Sequence, residues 1–202
     1  MSNGRGLIKG SAAALLLACV FLLAGCGQKS DRPWGLTDIS GHMPPLQFRL
    51  TDDTGKTVTG RDYLGKVTLL YFGYTHCPDV CPTTLAALAR AFKQLGPEAA
   101  DVRTLFVSVD PKRDSPAALK QYVDAFGPGF VGLTGTGAEL DALTKRYRVA
   151  YRLGSPDQDG DYAVYHSSAI FIFDRQGRVR LLANYTDAPA VIAADLRRLL
   201  QG

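Results

Sequence analysis

Two uninterrupted apolar runs, Val67–Phe72 and Thr104–Val109, restrict the possible folds of this chain more than any other feature. Runs that do not alternate with polar residues suit strands covered on both faces, as in parallel sheets flanked by helices. Between them Leu85, Leu88, Ala89 and Phe92 recur at helical spacing, and Gly96-Pro97 ends that period. A helix inserted between two buried strands leaves them parallel, joined by a right-handed crossover. A length of 202 residues allows one well-buried domain with an appendage.

The remaining segments fit around that unit. Leu46–Leu50 and Lys56–Thr59 flank a turn-rich gap and predict an N-terminal hairpin. Asp114-Ser115-Pro116 marks a helix start, with Leu119, Tyr122, Val123 and Phe126 on its buried face. A short strand over Phe130–Leu133 and a helix carrying Leu140, Leu143 and Tyr147 follow, then a strand over Val149–Leu153. Tyr162–Tyr165 reads as a short edge strand. Ala169–Phe173 and Arg178–Ala183 bracket Asp174-Arg175-Gln176-Gly177 as a hairpin. Ile192, Leu196, Leu199 and Leu200 line a last amphipathic helix. This order predicts an α/β, thioredoxin-like fold, a mixed central sheet with helices on both faces. In such folds chemistry gathers where a central strand passes to its helix.

The first residues have a different character. Arg5 and Lys9 precede the apolar run Ala12–Ala24, shorter than the roughly 20 residues of a membrane span but suited to a secretory signal. The run ends in Leu23-Ala24-Gly25-Cys26, which resembles the lipobox of bacterial lipoproteins. That resemblance implies acylation of Cys26 and a domain lipid-anchored in the cell envelope, facing the periplasm or the outside of the cytoplasmic membrane. An uncleaved anchor or a plain signal peptide are the alternatives. The expected organisation is a signal peptide over residues 1–26, a flexible Gly- and Pro-containing tether over 27–45, and a folded domain over 46–202. His42 and Met43 read as linker residues at the end of the tether. The net charge of +4 comes from basic residues scattered among acids, which leaves no footprint for nucleic acid.

This organisation bears on the cysteines. Cys19 falls in the signal and Cys26 takes the lipid, so Cys77 and Cys81 alone remain as thiols. In an exported protein two such thiols cannot tie distant parts of the fold together; they act as a pair. They lie in Thr75-His76-Cys77-Pro78-Asp79-Val80-Cys81-Pro82, between the first buried strand and its helix. Pro82 fits a first helical turn, which puts Cys81 at the helix start and Cys77 just before it. Free N–H groups and the positive end of the helix dipole predict lowered pKa values for both thiols. Residues four apart on a helical turn hold their Cα atoms within about 6 Å, inside disulfide range. The pair alone is therefore compatible with a soft metal, a reversible disulfide or one reactive thiolate.

His166 narrows the choice. It precedes Ser167-Ser168 and a buried strand, in the loop that faces the cysteine site of a thioredoxin-like fold. Two thiolates and an imidazole suit Cu(I), and imidazole accepts Cu(I) and Cu(II) alike. Zinc prefers a fourth ligand in a closed site. His76 reads as a polar neighbour of the pair. Asp79 reads as a helix cap or a charge that tunes the site, and Asp110 as a neighbour of the site or a turn residue before Pro111. Tyr71, Phe72 and Tyr74 read as core and rim.

The run Tyr71–Pro82 resembles the signature of the Sco/SenC family, copper proteins needed for cytochrome c oxidase assembly. Val107–Pro116 resembles that family's second block and Tyr165–Ser168 its third. The resemblance implies copper bound by Cys77, Cys81 and His166 and passed to the dinuclear copper site in the copper-bearing subunit of the oxidase. It equally accommodates a thiol–disulfide oxidoreductase in which Cys77 and Cys81 reduce the cysteines of that site. A copper donor or a thiol reductant would be the upstream partner. A peroxidase is disfavoured, since no Thr/Arg signature accompanies the cysteines at the helix start.

Overall fold

The computed structural model describes residues 33–158 and 161–202. In chain order its strands are β1 (Thr37–Asp38), β2 (Arg49–Asp52), β3 (Thr57–Thr59), β4 (Val67–Gly73) and β5 (Val102–Ser108), followed by β6 (Phe130–Thr134), β7 (Tyr151–Leu153), β8 (Val164–His166), β9 (Ile170–Phe173) and β10 (Val179–Ala183). The α-helices are α1 (Val80–Leu95), α2 (Pro116–Asp124), α3 (Gly137–Arg146) and α4 (Pro189–Gln201). Eight strands form one mixed sheet in the order β1-β10-β9-β4-β5-β6-β2-β3, and β7 and β8 form a separate ribbon.

The two apolar runs become β4 and β5, parallel from Val67↔Val102 to Gly73↔Ser108. All of β4 is buried, so both its faces are covered, which is why its sequence does not alternate. Helix α1 makes the crossover and buries Leu85, Leu88 and Phe92. On one side of β4 the sheet continues in parallel through β5 to β6; on the other, β9 runs antiparallel and opens the hairpin to β10. In that hairpin Asp174 Oδ1 accepts the N–H groups of Gln176 and Arg178, and Gly177 takes a left-handed φ of 74°. The predicted N-terminal hairpin is β2–β3, at the sheet edge beyond β6. Local start signals hold as well. Ser115 caps α2 ahead of Pro116, and Thr136 with Glu139 forms a capping box on α3.

Two expectations need correcting. From Trp34 on, the stretch expected to be a tether is part of the folded unit. Strand β1 pairs with β10, Leu36 is buried, and its N–H donates to Asp195 Oδ2 at 2.8 Å. The Arg198 guanidinium lies 3.9 Å from the centre of the Trp34 ring. These anchors are too few and too irregularly spaced to show as a period. His166, expected in a loop, is the last residue of β8, paired with Tyr151 of β7. The stretch expected to be a signal peptide and Cys26 lie outside the described residues. Among the described residues no helix is long and apolar enough to cross a membrane.

Candidate metal centre

Strand β4 ends at Gly73, and the chain then loops through Thr75–Asp79 into α1. Any larger residue at this strand end would force its neighbours to move. A Cβ on Gly73 would stand 2.5 Å from Phe106 Cε2 and 2.8 Å from Cys81 Sγ, closer than real contacts allow. Cys81 is the second residue of α1, turned inward and fully buried, whereas Cys77 is half-buried at the rim. Both are free thiols. The Cys81 backbone N–H, one of the unpaired donors of the first helical turn, points at Cys77 Sγ across 3.4 Å.

His166 reaches this pair from the β7–β8 ribbon. Its Nε2 lies 3.4 Å from Cys81 Sγ, and its Nδ1 lies 3.0 Å from the Ser167 carbonyl oxygen. A carbonyl only accepts, so the hydrogen-bond pattern assigns the proton to Nδ1 and leaves the Nε2 lone pair facing the sulfurs. Such a bond on the remote nitrogen is how metal-binding imidazoles are oriented. The rings of Tyr71 and Tyr74 meet the imidazole edge-on, with centroids 6.3 and 6.1 Å away. The ligand atoms of Cys77, Cys81 and His166 all lie within 4.8 Å of one another, and among the described residues no other such group occurs. Ligands at about 2.0–2.3 Å from one ion lie at most about 4.6 Å apart. Three such ligands spread around one ion stand about 3.5–4.0 Å apart, so the widest separation here closes by up to about 1 Å when a metal is held.

The electrostatics overturn one expectation. Burial pushes the Cys81 thiol up to about 12, against the Tyr74 backbone N–H that favours the thiolate; the nearby Cys77 charge pushes it the same way as burial. The dipole argument treats the helix start as solvent-facing, but this sulfur points into the core, where desolvation wins. Burial likewise holds the His166 imidazole below the ordinary histidine value, opposed by its bond to the Ser167 carbonyl. The site at rest is thus a neutral imidazole beside at least one protonated thiol.

The neighbours sort as follows. His76 sits at the rim, 3.0 Å from Thr75 Oγ1 and 3.7 Å from the Asp114 carboxylate, and is not among the grouped ligands. Asp79 is the N-cap residue of α1 by position; its side chain makes no cap bond but lies 3.3 Å from the Thr83 hydroxyl. Asp110 is fully buried and accepts from Arg113 and from the Tyr162 hydroxyl, so it is far more than a turn residue. Gly73 and Asp114 escaped the sequence reading. A glycine ending an apolar strand four residues before a cysteine was the available signal for the first. No local signal distinguishes the buried Asp114 from an exposed helix-start aspartate.

A family model described as SCO1/SenC matches residues 43–201. The human protein "Protein SCO1 homolog, mitochondrial" is 42% identical over 132 residues, which are 64% of this chain and 44% of that protein. The chain thus spans about half the length of the curated relatives it matches. Among solved structures, Bradyrhizobium japonicum ScoI with copper bound is 43% identical, with a TM-score of 0.71 over 77% of this chain and 98% of that one. BsSco, a member of the Sco family of cytochrome c oxidase assembly proteins in which a disulfide switch was identified, is 26% identical, with a TM-score of 0.61 over 79% of this chain and 97% of that one. The fold, the grouped ligands and these likenesses agree: the chain belongs to the SCO1/SenC family.

Proposed function

We propose that this protein is a membrane-tethered copper chaperone. Copper, its cargo, is held by the thiolates of Cys77 and Cys81 and by His166 Nε2. It is passed to the dinuclear copper site of cytochrome c oxidase in the periplasmic space. The convergence of these three side chains from segments 85 residues apart carries the reading. The copper bound to the similar ScoI supports the choice of metal. The lipobox-like Leu23–Cys26 supports the tether, with lipid on Cys26. Soft sulfur donors hold Cu(I), and the imidazole adds the harder donor that Cu(II) needs. Loading drives the proton from the Cys81 thiol. Titration of the reduced protein with Cu(I) should end at one equivalent. An endpoint clearly below one would refute the reading.

A second reading rests on the unequal exposure of the two thiols. The half-buried Cys77 can attack a partner disulfide as thiolate, forming a mixed disulfide and releasing one partner thiolate. Cys81, its proton taken by His166 Nε2, then attacks Cys77 Sγ. This step releases the second partner thiolate and leaves a Cys77–Cys81 disulfide, so two electrons pass to the partner. The disulfide switch of the similar BsSco supports it. Stoichiometric reduction of a peptide disulfide by the copper-free dithiol, with oxidation of both cysteines, is the expected result. The same site serves both roles, because copper loading requires the dithiol.

A further inference from the structure

The β5–α2 connection, residues 109–115, bonds to the segments that carry both halves of the metal centre. Toward the cysteines, the fully buried Asp114 accepts the Thr75 N–H at 3.0 Å and the Thr75 hydroxyl at 2.6 Å, two residues before Cys77. Its position is fixed in turn by the Ser108 hydroxyl at 2.5 Å. Toward the histidine, the buried Asp110 carboxylate accepts from Arg113 Nε at 2.5 Å and from the Tyr162 hydroxyl at 2.7 Å. Arg113 uses its remaining donors on the segment that leads into β8 and His166. Its terminal nitrogens donate to Asp161 Oδ1 at 2.6 Å and to the Tyr162 carbonyl at 2.9 Å. The guanidinium also lies 3.8 Å from the centre of the Tyr162 ring and 5.7 Å from that of Tyr74, the ring that meets His166 edge-on.

We infer that Arg113 is a positioning residue for His166, stapling the β7–β8 ribbon to the β5–α2 loop so that the imidazole stands over the sulfurs before any metal arrives. The ribbon has no backbone pairing with the main sheet, so its place is set by the packing of Val164 and Tyr151 against the core, by the Tyr151 hydroxyl on Asp141 and by the bonds of Arg113. A two-stranded ribbon does not hold itself in one position. Arg113 suits the task because its planar fork makes three directed bonds and stacks on an aromatic face, which a lysine cannot do. The inference rests on the copper reading for its functional meaning, because it makes the loop set how firmly the third ligand is offered.

The test compares wild type, Arg113→Ala, Arg113→Lys and His166→Ala for Cu(I) and Cu(II) affinity and for the visible thiolate-to-copper band. Arg113→Ala should weaken Cu(II) by roughly tenfold or more and shift the band. Cu(I) should stay at one equivalent, with affinity changed less than about threefold, since both thiolates remain. Arg113→Lys should resemble Arg113→Ala. In the His166→Ala background, Arg113→Ala should have no further effect on Cu(II), because a residue that acts through His166 has nothing left to position. Additive losses, or a wild-type-like Arg113→Lys, would overturn the inference. A metal-free readout accompanies these. In reduced protein, nuclear Overhauser contacts between the Tyr74 and His166 rings should vanish in Arg113→Ala, and their survival would overturn it. If Arg113→Ala fails to fold, Tyr162→Phe removes only the hydroxyl bond to Asp110 and should weaken the same contacts in the same direction; unchanged contacts there count against the staple. Wild type that binds no copper but shows these ring contacts only when Arg113 is present would defeat the copper reading and leave the positioning role standing.

Discussion

The two sides of the metal centre are built differently. The cysteines stand between a strand buried along its whole length and the helix that crosses over it, with Cys81 Sγ packed against Gly73 and near Phe106. The histidine stands on a ribbon of two three-residue strands outside the main sheet, where Leu153 and Tyr165 are 40% and 57% exposed. One side is enclosed by the core; the other touches the core through Val164 and Tyr151 and is tied further by side-chain bonds from a neighbouring loop. The sulfur of Cys81 is thus set by the core, and the imidazole nitrogen by a ribbon anchored from outside the main sheet.

The sharpest challenge to this contrast is to remove ligands from each side in turn. Cys77→Ala or Cys81→Ala should lower Cu(I) affinity by roughly a thousandfold or more in competition titrations, since one thiolate cannot replace two. His166→Ala should change Cu(I) affinity by about tenfold or less while costing Cu(II) about a hundredfold. Equal losses on the two sides would dissolve the distinction.

The pH dependence should also belong to the cysteine side. The Cys81 thiol, raised to about 12 by burial, is protonated throughout the physiological range. Binding must expel that proton, so Cu(I) affinity should rise about tenfold per pH unit between pH 7 and 9 from this thiol alone. In His166→Ala the slope should persist. A flat profile in wild type would mean that the sulfur is already ionised.

Packing should respond in the same order. Gly73→Ala forces a methyl against Phe106 and Cys81 and should cost about 1–3 kcal/mol, read as a lower midpoint in denaturant. Tyr165→Ala on the ribbon should stay within about 0.5 kcal/mol of wild type. The smallest effect needs no mutation. Amides of β7 and β8 should exchange through local openings, whereas those of β4 should exchange only through global unfolding. Equal protection in the two regions would show the ribbon to be as firmly built as the core.

Much of this architecture is legible in the residue order. The apolar runs Val67–Phe72 and Thr104–Val109, the helical period between them and the turn Asp174–Gly177 each became the element they predict. The pair Cys77 and Cys81 and the distant His166 were identifiable as partners through three motif blocks. The docking of Trp34 and Leu36 was not legible, because two anchors in a Gly- and Pro-containing stretch make no period. The staple was also hidden. Asp110, Arg113 and Tyr162 lie in two segments that look like polar connections, and nothing local aims one at the other.

Periodicity and turn chemistry act over a few residues, and so strand order, helix faces and the chemical identity of the donors could be read along the chain. Ionisation and ligand placement depend on what surrounds a group in space. The same helix start that favours a thiolate in water carries a protonated thiol here, because folding turned the Cys81 sulfur into the core. The approach of His166 to within 3.4 Å of it likewise arises from a ribbon and a loop that meet only once the sheet has formed.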